Sequence, residues 1–219
     1  CRRWVQDCRR YPSGDDRSRL QKPFEKPIEV THKYSISSTE SEENNTYLSY
    51  NTVIETALDE KLYLAFDILD YALVSAPGAP LKQALLDAGI GNDISCYYEE
   101  SVRQPFFSII AKNVKMEQKQ QFITVIETEL KKIVKEGLNQ QSLLAAINGY
   151  EFQYREADFG NFPKGLMYGL QIFDSWLYDE NKPFIHIQAN DTFAFLKKQV
   201  GTDYFEKIIE KYLDDPQKY

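Results

Sequence analysis

The sequence predicts a two-layer α+β domain with helices on one face of a sheet, and three observations carry that expectation. Stretches of period two come first, amphipathic stretches of period 3.6 then flank a strand pair, and the last third reads as helix. Each element follows from its own local pattern.

Ile28, Val30, His32, Tyr34 and Ile36 alternate with polar or charged residues, the period of a half-buried strand. Ser37 to Asn45 is polar and predicts a loop. Tyr47 to Ile54 predicts a second strand, with Leu48, Tyr50, Thr52 and Ile54 on one side. From Leu58 to Leu73 the spacing predicts a helix whose Leu62, Ala65, Phe66, Leu69 and Leu73 form one apolar stripe facing the sheet. Pro77-Gly78-Ala79-Pro80 breaks the chain before a short helix, Leu81 to Gly89, which Gly89 ends in the left-handed conformation.

Asp93 to Tyr98 and Pro105 to Lys112 predict two strands joined by a charged turn, Glu99 to Arg103. Met116 to Glu136 predicts a long helix, with Phe122, Val125, Ile126, Leu130, Ile133 and Val134 inward and Gly137 as its stop. Ser142 to Ala157 and Pro163 to Tyr178 predict two more, Pro163 suiting a first turn where its missing donor costs nothing. Asp191 is the expected cap of a helix over Thr192 to Val200, and Asp203 of a last one reaching Leu213.

With 219 residues the chain is long enough to bury a sizeable core. Hydrophobic residues at 42% and aromatics at 14% describe a packed globule rather than a disordered chain. A net charge of −7 and a pI near 5.0 exclude a nucleic-acid binder, because phosphate neutralisation needs clustered Lys and Arg. No apolar run approaches the roughly 20 residues of a membrane helix, so a soluble chain is expected. Cys1, Cys8 and Cys96 have no paired spacing and favour a reducing compartment, a bacterial cytoplasm first and an organelle matrix second.

Arg2, Arg3, Arg9, Arg10, Arg17 and Arg19 crowd the first 19 residues, whereas positive charge elsewhere is almost wholly lysine. This boundary divides the chain into residues 1–27, a basic arm, linker or remnant, and residues 28–219, the folded domain. Asp7, Asp15 and Asp16 argue against an organellar presequence, which is poor in acid.

Two phrases carry more than periodicity. Pro77-Gly78-Ala79-Pro80-Leu81 before a short helix ending in Ala88-Gly89, and Asn161-Phe162-Pro163-Lys164-Gly165-Leu166 between two helices, are not generic helix punctuation. Together with the element order, they resemble the insulinase or pitrilysin class of zinc peptidases, in the branch of presequence proteases and falcilysin. The likeness covers about Pro27 to Val200 and best suits the second of four homologous domains. It implies a metallohydrolase-like peptidase domain, a mixed sheet backed by helices on one face. It also implies a parent whose halves close around an unfolded peptide, with zinc held in the first domain by an inverted His-x-x-Glu-His motif and a distant Glu. The last domain of such a parent adds an Arg-x-x-x-Tyr pair for substrate.

This chain departs from that pattern. Zinc hydrolysis needs two imidazoles one helical turn apart and a carboxylate on the same face, with one position left for water. Only His32 and His186 are present, in different elements, and the helix that would carry the motif offers Tyr63, Phe66, Asp67, Asp70 and Tyr71. Arg103 is followed four later by Phe107 and Arg155 by Phe159, so neither makes the Arg and Tyr pair. No catalytic, cofactor-binding or metal residue of the family transfers to any position.

Other chemistries are weaker still. His32 on an alternating strand reads as a packed or half-exposed side chain. Cys96 among apolar strand residues reads as a small buried hydrophobe, with no His near it in sequence. Asp59, Glu60, Asp67 and Asp70 could form a metal or acid/base site, but their spacing from Leu62, Phe66 and Leu69 places them on the solvent face. Arg155 and Lys164 are the least explained charges and would suit an interdomain contact. Exposed members of the 15 Tyr and 13 Phe could grip an extended peptide.

The expected function is therefore a noncatalytic structural and substrate-chamber domain of a zinc metalloendopeptidase that degrades unfolded peptides. Its partners would be the other domains of its parent and the peptide, with no cofactor in this chain, no nucleic acid and no membrane. The alternative is a stand-alone binding or assembly module resembling a noncatalytic processing-peptidase subunit.

Overall fold

The computed structural model describes residues 20, 22, 24–38, 43–157 and 159–214. Strand β1 (Thr46–Val53) leads into helix α1 (Glu60–Asp70), which widens into a π-helical turn (Tyr71–Ser75) before helix α2 (Pro80–Asp87). Strands β2 (Asp93–Glu99) and β3 (Phe106–Val114) form a hairpin. A 3-10 turn (Met116–Gln118) then opens helix α3 (Lys119–Glu136), followed by α4 (Gln140–Glu156), α5 (Lys164–Trp176), α6 (Asn190–Gln199) and α7 (Tyr204–Tyr212). The α+β class holds, and the predicted helices and hairpin fall within a few residues of their expected ends.

β3 is the central strand, antiparallel to β1 and β2, and Ile109 sits between Tyr50 on one side and Cys96 on the other. Among the described residues the sheet is antiparallel throughout, where the family resemblance implied a mixed one. The connection between β2 and β3 is too short for the crossover that a parallel pair requires. Phe107, Ile109 and Ala111 recur at period two on the buried face. Against that face pack Phe66, Leu69, Ile126 and Leu130, and burying each such side chain contributes about 1.5–3 kcal/mol.

The strand expected over Ile28–Ile36 does not form. Residues 27–37 make no ladder among the described residues, and Ile28 and Val30 stand 61% and 66% exposed. Alternation prepares a pleated surface, but a strand exists only when a neighbour takes its backbone bonds. Here the segment is fastened by side chains instead. Tyr34 donates to Asn45 and meets the Tyr47 ring edge-on, and Glu29 pairs with Lys119. Most of the expected basic arm, residues 1–27, lies outside the described residues.

Helix α1 begins where Asp59 accepts hydrogen bonds from the Lys61 and Leu62 amides, both at 3.0 Å. Of the two caps expected later, Asp191 is displaced and Asp203 keeps its position without a side-chain capping bond. Ala189 is the N-cap of α6, leaving Asp191 in the first turn, where its charge still meets the helix N-terminus. Asp203 holds the N-cap position of α7, but its carboxylate pairs with Lys207 at 2.7 Å. Gly91, at φ +63°, lies where a Cβ would come within 2.5 Å of the Lys112 carbonyl, so this turn is closed to every other residue.

Helix α1 contacts β2, α4 and α6. It is therefore enclosed on several sides, and Leu62, Tyr63, Leu64, Ala65, Phe66, Ile68 and Leu69 are all buried. That enclosure creates the site described next.

Candidate functional site

Tyr63, Asp67 and Asp70 follow one another at i, i+4 and i+7, so one side of α1 carries a phenol and two carboxyls. Glu100 approaches from the turn after β2 and Asp174 from α5. The Tyr63 hydroxyl donates to Asp174 Oδ2 at 3.0 Å. On its other side the Tyr63 ring stacks on His186, with centroids 3.7 Å apart and planes at 22°.

Burial governs the protonation of this cluster. Asp67 keeps a little accessible surface, but its carboxyl is enclosed. Burial first, then the Glu100 and Asp70 charges, push it well above the ordinary aspartate value. Its hydrogen bond to the Glu100 carboxyl adds to that rise. The Glu100 carboxyl is itself raised to about 7 by burial and by Asp174, against the hydrogen bonds from Tyr63 and Asp67. Asp174 is raised to about 6 by burial, with the Tyr63 hydroxyl holding it down in part. The charges that dominate these three shifts are other carboxylates.

The surroundings are equally poor in charge. Burial raises the Tyr63, Tyr98, Tyr150 and Tyr154 hydroxyls, so all four remain phenols. His186 is 3% exposed, and burial lowers it to about 4, so its ring is neutral at physiological pH. No well-formed hydrogen bond reaches either ring nitrogen. Burial raises the Cys96 thiol well above its usual value, with Asp70 adding to the effect, which leaves it a poor nucleophile.

The arrangement can hold protons and fasten α1, the turn after β2 and α5 to one another. It does not fit zinc. His32 is exposed on the N-terminal segment, His186 is stacked face to face on Tyr63, and no group of three His, Cys, Asp or Glu among the described residues could hold a metal ion.

The carboxylates read as a solvent-facing row divide into separate roles. Asp59 caps α1, Glu60 is exposed, and Asp70 accepts from the Ser75 hydroxyl at 2.8 Å beside the π-helical turn. Asp67 turns inward, contrary to expectation, because α1 is covered on more than one side. Glu100, Asp174 and His186 are the members sequence reasoning missed. A single acid inside the apolar run Leu166 to Leu177 was the signal for Asp174, since an isolated charge there needs a partner.

Arg155 pairs with Glu151 at 2.8 Å, and Lys164 donates to the Glu156 carbonyl at 3.0 Å, closing the end of α4. Beyond them α5 carries an exposed stripe of Leu166, Leu170, Phe173, Trp176 and Leu177. A hollow of about 320 Å³ at its N-terminal end is lined by Phe152, Phe159, Phe162 and Lys164.

Comparison with known proteins places this geometry. The chain is 37% identical over 203 residues to protein HypA of Clostridium perfringens, covering 93% of this chain and 21% of that protein. It is 30% identical over 201 residues to the chloroplastic/mitochondrial presequence protease 1 of Arabidopsis thaliana, covering 89% of this chain and 18% of that one. The chain thus spans about a fifth of the length of these relatives. In fold it is similar to the inactive peptidase domain of a Bordetella parapertussis protein, with a TM-score of 0.58 at 11% identity over 79% of this chain and 88% of that one. A protease from Helicobacter pylori gives 0.56 at 15% identity over 78% of this chain and 39% of that one. Residues 8–150 match the family described as the Peptidase M16 inactive domain. The chain belongs to that family, the noncatalytic domains of insulinase-type zinc peptidases, with presequence proteases among its relatives.

Proposed function

We propose that this chain is the noncatalytic structural and substrate-chamber domain of a zinc-dependent metalloendopeptidase that degrades unfolded peptides. Residues 28–219 form that domain and residues 1–27 an arm or linker. One observation carries the reading. The helix that bears zinc ligands in the catalytic domains of the resembling class here carries Tyr63 and Asp67, whose side chains hydrogen-bond Asp174 and Glu100. A site built this way tightens the fold and leaves no open position for an activated water.

The other domains of the parent supply the zinc and the general base, and this one completes a wall of the chamber. The relatives are bacterial and organellar, and no helix among the described residues is long and apolar enough to cross a membrane. A bacterial cytosol or an organelle matrix suits such a domain.

The test has two arms. The 219-residue chain should show no change in melting temperature with zinc in micromolar excess and no cleavage of a fluorogenic peptide. The full-length polypeptide that contains it should cleave the same peptide and lose that activity to a chelator. Chelator-sensitive turnover by the chain itself, or an inert full-length polypeptide, would remove the proposal.

A further inference from the structure

Helix α5 is apolar on nearly every side, a composition that belongs inside a protein. Only Ser175 among its described residues is fully buried. Met167 and Ile172 turn partly toward the body, while Leu166, Leu170, Phe173, Trp176 and Leu177 stand between 45% and 67% exposed on the outer side. The Phe173 and Trp176 rings stack within 10° of parallel, their centroids 6.0 Å apart. Phe162, two residues before the helix, is exposed as well.

Charge is missing from this face. Between Lys164 and Leu177 the charged residues are Lys164 and Asp174, and both are engaged elsewhere, with the Glu156 carbonyl and with Tyr63. Six large side chains at roughly half exposure make a patch on the order of 600 Å², if each presents ~150–250 Å² when free. That stands at the top of the ~300–600 Å² range of the largest patch on an ordinary monomer and approaches the ~800 Å² per side of a stable interface.

We infer that another domain of the same polypeptide covers the outer face of α5, an inference that rests on reading the chain as one domain of a longer peptidase. The relatives leave about four fifths of their length outside the matched segment, which provides the occupant. The absence of charge fits a permanent contact better than an encounter between separate molecules, whose rim needs polar groups for solubility apart and for steering. A covalent tether supplies the local concentration instead.

Hydroxyl-radical footprinting read by mass spectrometry tests this on the 219-residue chain and on the full-length polypeptide. Oxidation of Phe173 and Trp176 should fall roughly fivefold or more in the full-length polypeptide, the scale of moving half-exposed rings into a packed interface. Leu170→Asp in the full-length polypeptide should restore it with unchanged far-ultraviolet dichroism. That variant also decides the matter by itself if the separate chain unfolds. Equal oxidation in chain and full-length polypeptide overturns the inference, as does L170D leaving Trp176 protected. Protection that grows with concentration in the separate chain assigns the face to a second copy and also overturns it. Protection in a polypeptide without chelator-sensitive activity keeps the interface and removes the functional reading. Activity without protection does the reverse.

Discussion

Tyr63 and Asp174 lie 111 positions apart, yet a 3.0 Å hydrogen bond joins the second turn of α1 to the last turn of α5. Both of its atoms sit among carboxyls that are reluctant to ionise, and α5 offers few other polar attachments to the body. Tyr178, just beyond the helix, adds one by donating to the Ser101 carbonyl at 3.2 Å.

Tyr63→Phe removes the donor and leaves Asp174 without it. The loss should be about 1–3 kcal/mol in urea denaturation, the cost of stranding a buried acceptor, with near-normal packing because the ring stays. Asp174 should also titrate higher, since the phenol now holds it down. An unchanged midpoint would mean that the bond contributes nothing.

Glu100 sets a pH dependence whose sign is fixed by the direction of its shift. Its carboxyl goes from 4.5 in the open chain to about 7 when folded, so the folded state binds the extra proton between those values. The associated stability is present below pH 4.5 and is lost as pH rises through about 7. Glu100→Gln cannot ionise and should be more stable than the parent at pH 8 by on the order of 1–3 kcal/mol, with the difference shrinking toward pH 4.5. Chemical denaturation at four or five pH values reads this directly. A difference that does not vary with pH would refute the raised Glu100 carboxyl.

His186 works in the opposite direction over nearly the same range. Its folded value, about 4, is depressed below the ordinary 6.5, so the neutral ring's contribution is intact above 6.5 and is lost as pH falls toward 4. In the parent this slope offsets only part of the fall that Glu100, Asp67 and Asp174 contribute together. His186→Phe keeps the stack on Tyr63, relieves two buried nitrogens that lack a well-formed hydrogen bond and should leave the carboxyl slope uncovered, stability falling steadily from pH 4.5 to 7. Proton NMR on the parent should find one of its two histidines titrating well below 6, and two ordinary titrations would contradict the burial.

Two glycines should respond oppositely to alanine. Gly91→Ala adds a Cβ 2.5 Å from the Lys112 carbonyl at a φ of +63°, and should cost on the order of 2 kcal/mol or more. Gly149, exposed in the middle of α4 with nothing within 4 Å of the added atom, should gain about 0.5–1 kcal/mol from helix propensity. Thermal melts of the pair, side by side, check both signs.

The sequence by itself determined the secondary structure from Tyr47 onward, the family and the lack of a zinc motif. Helix stripes such as Phe122, Ile126, Leu130 and Ile133 were legible because burial on a single face writes its period into neighbouring residues, and a missing His-x-x-Glu-His is a local fact. The tertiary structure alone decided that Ile28–Ile36 joins no strand ladder among the described residues, that Asp67 turns inward, and that Asp67, Glu100, Asp174 and His186 gather around Tyr63. Periodicity assumes one covered face per helix, whereas α1 is covered by β2, α4 and α6 together. Which charge loses its water depends on contacts between distant segments, and one-dimensional spacing carries no trace of them.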